Sequence, residues 1–197
     1  MTGGARIPRT EVTGIYGAMA KRYSVRKLGQ VPEPLGVMWH NKPVLKAFFG
    51  LSAKADKWDA CDPQLKGFAH MAAVSMVGCS FCQDFGYLQA HNEKLDVDKA
   101  REVPRWRESD AFEPLEREVM EYAEAMTRTP PTVSDEMSER LLEQLGASAL
   151  VELTAFIALA NMASRINVTL GIESQGFSAA CGLRPLATPA ADVASPA

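Results

Sequence analysis

Residues 62–82 read DPQLKGFAHMAAVSMVGCSFC and contain the signals that decide the fold. Asp62 followed by Pro63 is a typical helix start, because the acid caps free backbone N–H groups and proline suits the first turn. The apolar residues that follow recur every three or four positions, which predicts a helix that buries one face. Gly78 can adopt the left-handed conformation that ends a helix. A new helix is therefore expected to begin at Cys79, with Cys82 one turn later.

The flanking sequence is helical as well, and prolines and glycines divide it into segments. β-strand alternation of useful length does not occur, so the predicted fold class is all-α. The expected helices are about 11–28, followed by a break at Pro32 and Pro34; Pro43 to about Trp58; Cys79 toward Leu95; a short segment ending at Pro104; a helix from Pro114 to the stop at Pro130-Pro131; Met137–Leu145 with Ser134 as cap and Gly146 as end; and the apolar helix Leu150–Leu170.

A chain of 197 residues fits a single domain. We expect a helical arm over residues 1–60 that packs on a core over residues 61–186, and a disordered Ala-, Pro- and Ser-rich tail over residues 187–197. Residues 1–50 contain eight Lys or Arg and two acids, although the whole chain has a net charge of −3. The arm should therefore pack on the acidic body or on a neighbouring subunit. An arm for nucleic acid or membrane is the alternative, but no recognised motif accompanies it, so neither partner is expected.

The sequence also favours a cytoplasmic location. Its first residues lack the apolar core of a signal peptide. The charge-free stretch Leu153–Ser164 is too short to span a bilayer. Four cysteines in a chain of this length do not make a secreted disulfide scaffold, so the close pair Cys79 and Cys82 is expected to be catalytic or metal-binding.

The Cys-x-x-Cys pair predicts redox chemistry. At a helix start, its two sulfurs lie within bonding reach, and the positive end of the helix dipole favours thiolate over thiol. A zinc site would need two further ligands, but Cys61, Cys181, His70 and His91 are not clustered in sequence, so no metal is expected. A cycle between dithiol and disulfide needs no organic cofactor either. Two buried structural cysteines are the remaining alternative. A third thiol, Cys61 or Cys181, could accept the disulfide from the pair.

Three stretches of the chain resemble the carboxymuconolactone decarboxylase and alkylhydroperoxidase-D-like (AhpD-like) family. They cover roughly residues 62–172 and are the helix HMAAVSMVG before CSFC (70–82), the segment PLEREVMEYAEAMT (114–127), and the segment LVELTAFIALAN with RIN (150–167). The resemblance implies an AhpD-like helical bundle that is oligomeric, often a trimer or hexamer. It also implies a thiol-dependent peroxidase or disulfide reductase that acts on hydroperoxides and takes electrons from a dithiol protein or a small thiol.

In this family the second cysteine of the motif attacks peroxide and the first resolves it, which makes Cys82 peroxidatic and Cys79 resolving. The helix dipole alone favours Cys79 as the nucleophile, so the order of the two stays open. Family members also use a Glu twelve residues before the first Cys and a His four residues after the second as a proton relay. Gly67 and Gly86 occupy these positions here. This chain therefore resembles a subgroup without the usual relay.

Three other residues are candidates for the missing acid–base function. Asp84 lies in the same helical turn as Cys82 and is a candidate catalytic base, although an acid at a helix start is commonly structural. His70 and His91 lie nine residues before Cys79 and nine after Cys82, and are candidate relay groups.

Two other functions stay open at this point. A decarboxylase or isomerase acting on a small lactone acid is known in the family, but members of that kind generally lack the Cys pair. The other alternative is a non-enzymatic helical oligomer that uses the dithiol as a redox sensor or as a structural staple. In either case the amount of apolar helix surface predicts a homo-oligomer.

Overall fold

A computed structural model describes residues 4–188, and these residues contain helices and no strands. The predicted all-α class is thereby confirmed. The helices are α1 (Gly14–Leu28), α2 (Glu33–Met38), α3 (Lys42–Ala55), α4 (Pro63–Val77), α5 (Ser80–Asn92), α6 (Val97–Glu102), a 3₁₀ turn (Val103–Arg105), α7 (Pro114–Thr127), α8 (Asp135–Leu170) and α9 (Phe177–Ala180).

The local signals around α4 act as the sequence predicts. The Asp62 side chain accepts hydrogen bonds from the backbone N–H groups of Gln64 and Leu65 at 2.8 and 3.2 Å. At the other end, Gly78 has φ 78°, in the left-handed region where a side chain would be strained. The next helix begins at Ser80, and Cys79 is its N-cap residue instead of its first residue.

Three segments differ from the predicted boundaries. Residues 33–38 form a short helix, α2, because Pro34 falls in its first turn, where a missing N–H does no harm. The backbone is non-helical at Gly146, with φ 77°, which confirms the predicted helix end there, but the next helix follows directly instead of starting at Leu150, and α8 comprises both. The four-residue helix α9 has no counterpart among the predicted helices, and its N-terminus is bound by a distant side chain described below.

Helix α4 lies at the centre of the fold and packs against α5, α7 and α8. The main core is formed by small and large apolar residues that alternate across these contacts, including Phe68, Met120, Leu153 and Ile157. Within this core, Lys66 and Glu152 form a buried ion pair at 2.6 Å. Glu152 also accepts a hydrogen bond from the backbone N–H of Ala60, so α4 and α8 are joined where the chain enters the core.

The N-terminal segments lie against the end of α8 and the residues that follow it. A small separate core surrounds Trp39 and Leu45. The Arg6 guanidinium donates to the carbonyl of Val168, and the Glu33 backbone N–H donates to the side chain of Gln175. At the other terminus, the N–H of Ala187 donates to the carbonyl of Arg101. Ala187, the first residue of the predicted disordered tail, is therefore bound to the body of the protein. Residues 189–197 of that tail lie outside the described residues.

Helix α8 leaves much of its apolar surface uncovered. The helix is long and apolar enough to cross a membrane, but this is weak evidence, because the core helix of a soluble protein can meet the same criteria. The sequence prediction considered only the charge-free stretch Leu153–Ser164, which is shorter than the whole helix. Only 22% of its most apolar 18-residue window is buried, and Val151 is 70% exposed.

Candidate functional site

The two cysteines are held at the tight turn between α4 and α5. The Cys79 N–H donates to the carbonyl of Val74, which fixes the chain as it leaves α4. The Sγ of Cys79 then accepts the backbone N–H of Cys82 at 3.2 Å, as an N-cap side chain does. Cys79 and Cys82 form a disulfide with their Cα atoms 5.2 Å apart, inside the ordinary range for such bonds.

The disulfide is buried in a second apolar cluster. Cys79 is 0% exposed and Cys82 is 4% exposed. The residues of this cluster come from four parts of the chain, namely Val37 of α2, Val74 of α4, Ala160 of α8, and Ile172 with Phe177 after α8. Both cysteines are therefore buried, and Cys82 is the residue of the pair that keeps some contact with solvent.

Asn167 places a polar group against the redox pair. Its side-chain amide donates to the Sγ of Cys82 at 3.4 Å, and Asn167 is itself buried. Sulfur is a large, weak acceptor, so 3.4 Å is an ordinary length for this contact. The sequence prediction did not single out Asn167. The one indication in the sequence was that Asn167 ends the segment 150–167, which resembles the family.

Asp84 lies on the other side of α5 and is fully engaged by the residues after α8. Its carboxylate accepts four hydrogen bonds of 2.6–2.9 Å, from the Ser174 hydroxyl, the Phe177 N–H, and the N–H and hydroxyl of Ser178. Burial raises the pKa of this carboxyl, but these hydrogen bonds outweigh burial and hold the pKa below 3.8. In these contacts Asp84 binds the N-terminus of α9.

Residues 172–178, the cover segment, lie over the start of α5. The Ser174 N–H donates to the Ser80 hydroxyl at 3.1 Å. The Phe177 ring packs edge-on against Phe81, with ring centroids 5.7 Å apart. The disulfide is therefore enclosed by a segment held to α5 by the Asp84 contacts and by these two.

His70 occupies the space beside Gly86. A Cβ atom at position 86 would lie 2.9 Å from the Nδ1 atom of His70, so glycine is required for the imidazole to stand there. His70, Gly67 and Gly86 line one cavity of about 180 Å³, together with the aromatic residues Trp58 and Phe156. Burial lowers the pKa of His70 from 6.5 to about 4, which keeps the imidazole neutral at physiological pH.

The other candidate residues are not part of the apolar cluster that surrounds the disulfide. His91 is exposed in the last turn of α5, about 13 Å along the helix axis from Cys82. Cys61 is buried, and burial together with the nearby Glu152 charge raises the pKa of its thiol to about 11, so it is a poor nucleophile. Cys181 is free and exposed. Residues 4–188 contain no cluster of three or more His, Cys, Asp or Glu that could hold a metal ion.

Comparison with known families agrees with this architecture. Residues 42–125 match the carboxymuconolactone decarboxylase family. The match begins at Lys42, the first residue of α3, and so upstream of residue 61, where the sequence analysis places the start of the core. This match agrees with the resemblance to the carboxymuconolactone decarboxylase and AhpD-like family seen in the sequence.

Among curated proteins, the chain is 38% identical over 116 residues to the uncharacterized protein YnjA of Escherichia coli (strain K12). The aligned region covers 59% of this chain and 64% of YnjA, so the chain spans slightly less than two thirds of that relative.

Two solved structures share the fold across most of the chain. The debrominase Bmp8, in a Cys-to-Ala variant complexed with 2,3,4-tribromopyrrole, matches with a TM-score of 0.76 and 20% identity over 90% of this chain and 97% of that chain. An uncharacterized peroxidase-related protein from Ralstonia eutropha JMP134, described as an alkylhydroperoxidase AhpD core, matches with a TM-score of 0.70 and 19% identity over 88% and 96%. At these identities the similarity establishes the AhpD-like fold alone.

Proposed function

We propose that the chain is a thiol-dependent hydroperoxide reductase in which Cys79 and Cys82 cycle between dithiol and disulfide. The observation that carries this proposal is the pairing of the two cysteines across one helical turn, with a separate hydrogen-bond donor on each sulfur. Such donors stabilise thiolate, which is the reactive form of cysteine.

The proposed reaction has three steps. The thiolate of Cys82 attacks a peroxide oxygen, the O–O bond breaks, and the alcohol leaves after taking one proton, so that Cys82 becomes a sulfenic acid. Cys79 then attacks the Cys82 sulfur and expels water, which closes the disulfide. A dithiol protein or small thiols return two electrons and two protons and leave as a disulfide.

The proposed order makes Cys82 the peroxidatic and Cys79 the resolving cysteine. Cys82 is the more exposed of the two, and the hydrogen bond from Asn167 supports a negative charge on its sulfur. The position of Cys79 at the helix N-terminus suits a good leaving group when the reductant attacks Cys82.

Asp84 and His91 are given no acid–base role in this proposal. The carboxylate of Asp84 is occupied by residues 174–178, and His91 is at the far end of α5. His70 is kept as a candidate relay group, because its imidazole stands beside Gly86, one turn beyond Cys82. A relay role for His70 predicts slower peroxide reduction in His70→Gln, with the number of oxidised thiols unchanged.

A homo-oligomer is part of the proposal. The uncovered apolar residues of α8, including Val151 and Met162, are more extensive than a small monomer usually leaves in contact with water. Light scattering after size exclusion measures the mass in solution, and a monomer at micromolar concentration would contradict this part.

Counting thiols before and after addition of one equivalent of hydrogen peroxide tests the function. The reduced protein should lose two thiols per chain, and Cys82→Ser should lose none from the pair. Cys181→Ser is the matched control, since it removes an exposed free cysteine and should still lose two. Repeated peroxide consumption in the presence of excess dithiol should follow.

Two results would contradict the proposal. An unchanged thiol count after peroxide would exclude the reaction. A single oxidation without turnover under excess dithiol would favour the sensor or staple.

A second candidate is reductive dehalogenation of a small aromatic compound. The same dithiol could supply two electrons to convert C–Br to C–H, releasing bromide and a proton. The observation in its favour is the cavity beside Gly86, whose aromatic walls Trp58 and Phe156 suit a flat ring. Bromide release from a brominated pyrrole or phenol, dependent on Cys82, would favour this function over peroxide reduction.

A further inference from the structure

The contact between Asn167 and Cys82 joins two parts of the chain that are 85 residues apart. Asn167 lies in the last turn of α8, and its backbone carbonyl accepts the N–H of Ile172 at 2.9 Å. This bond, together with the left-handed Gly171 that ends the helix, fixes where the Asn167 side chain begins. The backbone that carries the Asn167 side chain is therefore fixed, and the side chain itself is buried.

We infer that Asn167 is a catalytic residue of the dithiol reaction, whose amide stabilises the thiolate of Cys82 and so selects Cys82 as the nucleophile. The inference rests on the proposed function, since it names a further residue of the same site. A fixed N–H donor aimed at a developing negative charge stabilises it strongly in a water-poor site. Here the atom that carries the charge is the sulfur the donor touches.

Charged side chains on the elements that contribute to the cluster around Cys82, or pack on those elements, have other partners. On α5, the carboxylate of Asp84 is bound to residues 174–178. On α2, Glu33 is paired with Arg9 at 2.9 Å, and Arg6 binds the last carbonyl groups of α8. The cluster residues from α4 and the cover segment that surround the disulfide, Val74 and Phe177, are apolar. Within the described residues, Asn167 is thus the side-chain donor on this sulfur.

The size of the effect follows from the hydrogen bond to a charged acceptor. Such bonds correspond to a shift of roughly one to two pKa units of the acceptor. Loss of the donor should therefore raise the pKa of Cys82 by that amount. At neutral pH, peroxide oxidation should slow by about threefold for each unit, because a scarcer thiolate is partly offset by its greater nucleophilicity.

The test measures the pKa of Cys82 from the pH dependence of its alkylation by iodoacetamide. Cys79→Ser combined with Cys181→Ser is used as the background, since serine at position 79 keeps the N-cap and leaves one thiol at the site, and iodoacetamide would also alkylate the exposed Cys181. Asn167→Leu keeps the size and removes the donor, whereas Asn167→Asp keeps the shape and replaces the donor with a negative charge. Ser164→Ala, a buried change one turn earlier on α8, is the matched control.

We expect the pKa of Cys82 to rise in both Asn167 variants, more in Asn167→Asp, and to stay unchanged in Ser164→Ala. If Asn167→Leu does not fold, Asn167→Asp alone decides, and a Cys82 pKa at or below the parent value would overturn the inference. An unchanged Cys82 pKa in the variants, when the wild-type protein still loses two thiols to peroxide, would overturn the role of Asn167 and leave the proposed function standing. A wild-type protein that loses no thiols to peroxide would instead remove the proposed function and, with it, the reaction that the inference assigns to Asn167.

Discussion

Replacing Asp84 by Asn should loosen the cover segment and destabilise the protein. In the structure, each carboxylate oxygen of Asp84 accepts one backbone N–H and one serine hydroxyl. An asparagine side chain can satisfy only one of these two pairs with its oxygen. At the other pair, the hydroxyl can rotate to accept from the new NH2 group, but the backbone N–H of Phe177 or Ser178 loses its partner.

The expected loss follows from that count. An unsatisfied buried N–H costs about 1–3 kcal/mol, and the remaining bonds lose the benefit of a charged acceptor. We therefore expect Asp84→Asn to lower the free energy of unfolding by about 2–4 kcal/mol at pH 7. Reduction of the disulfide by a small dithiol should also be faster, because the cover segment opens more often.

The pH dependence gives a second criterion. The pKa of Asp84 is lower in the folded state than the ordinary value of 3.8, so its stabilisation is present above the unfolded pKa and is lost as the pH falls through the folded pKa. The difference between wild type and variant should therefore shrink below about pH 4.

Urea denaturation followed by circular dichroism, at several pH values, measures both quantities. Asp98→Asn, an exposed acid paired with Arg184, is the matched control and should change stability by less than about 0.5 kcal/mol. A loss in Asp84→Asn as small as that of the control would refute this account of the cover segment.

Three further predictions concern the groups around α4. Lys66→Met should cost about 3–5 kcal/mol of unfolding free energy, because Glu152 would remain buried and unpaired. Arg105→Met removes an exposed arginine from its pair with Glu102 and should lower the stability far less; denaturation curves of both variants compare them. Gly86→Ala should lower the free energy of unfolding by about 1–3 kcal/mol, because the added Cβ clashes with His70. A double-mutant cycle should show a smaller loss in a His70→Ala background, and equal losses in both backgrounds would argue against the clash. Burial lowers the pKa of His70 to about 4 in the folded state, from about 6.5 in the unfolded chain. The unfolded chain therefore binds the extra proton, and stability falls as the pH drops from 6.5 to 4. His70→Gln should remove up to about 3 kcal/mol of this pH dependence, measured as thermal or urea stability at several pH values.

Much of the fold was predictable because its signals are local. The start of α4 at Asp62-Pro63 and its end at Gly78 depend on residues within one turn of each boundary, and the structure agrees with both. Helix α2 was missed because Pro34 indicates a break equally well whether it precedes a helix or stands in its first turn. Helix α9 was missed because its N-terminus is satisfied by Asp84, which is more than 90 residues earlier in the chain.

The candidate site was only partly predictable for the same reason. Proximity in sequence suggested Asp84 as a base for Cys82, whereas in space its carboxylate faces residues 174–178. The spacing of His70 from Cys79 left its face of the helix uncertain, and the structure places it against Gly86. No sequence rule connects these two positions, because the contact depends on how α4 packs on α5.

By itself, the sequence determined the helical class and a pair of cysteines at a helix start, and it showed the resemblance to a known family. The first two properties follow from caps, prolines, glycines and periodicity that act over a few residues. Only the tertiary structure decided that the cysteines are buried, that the cover segment encloses them, and that Asn167 donates to Cys82. The physical reason is that burial and hydrogen bonding to a side chain depend on which helices pack together, and four separate parts of the chain meet around this disulfide.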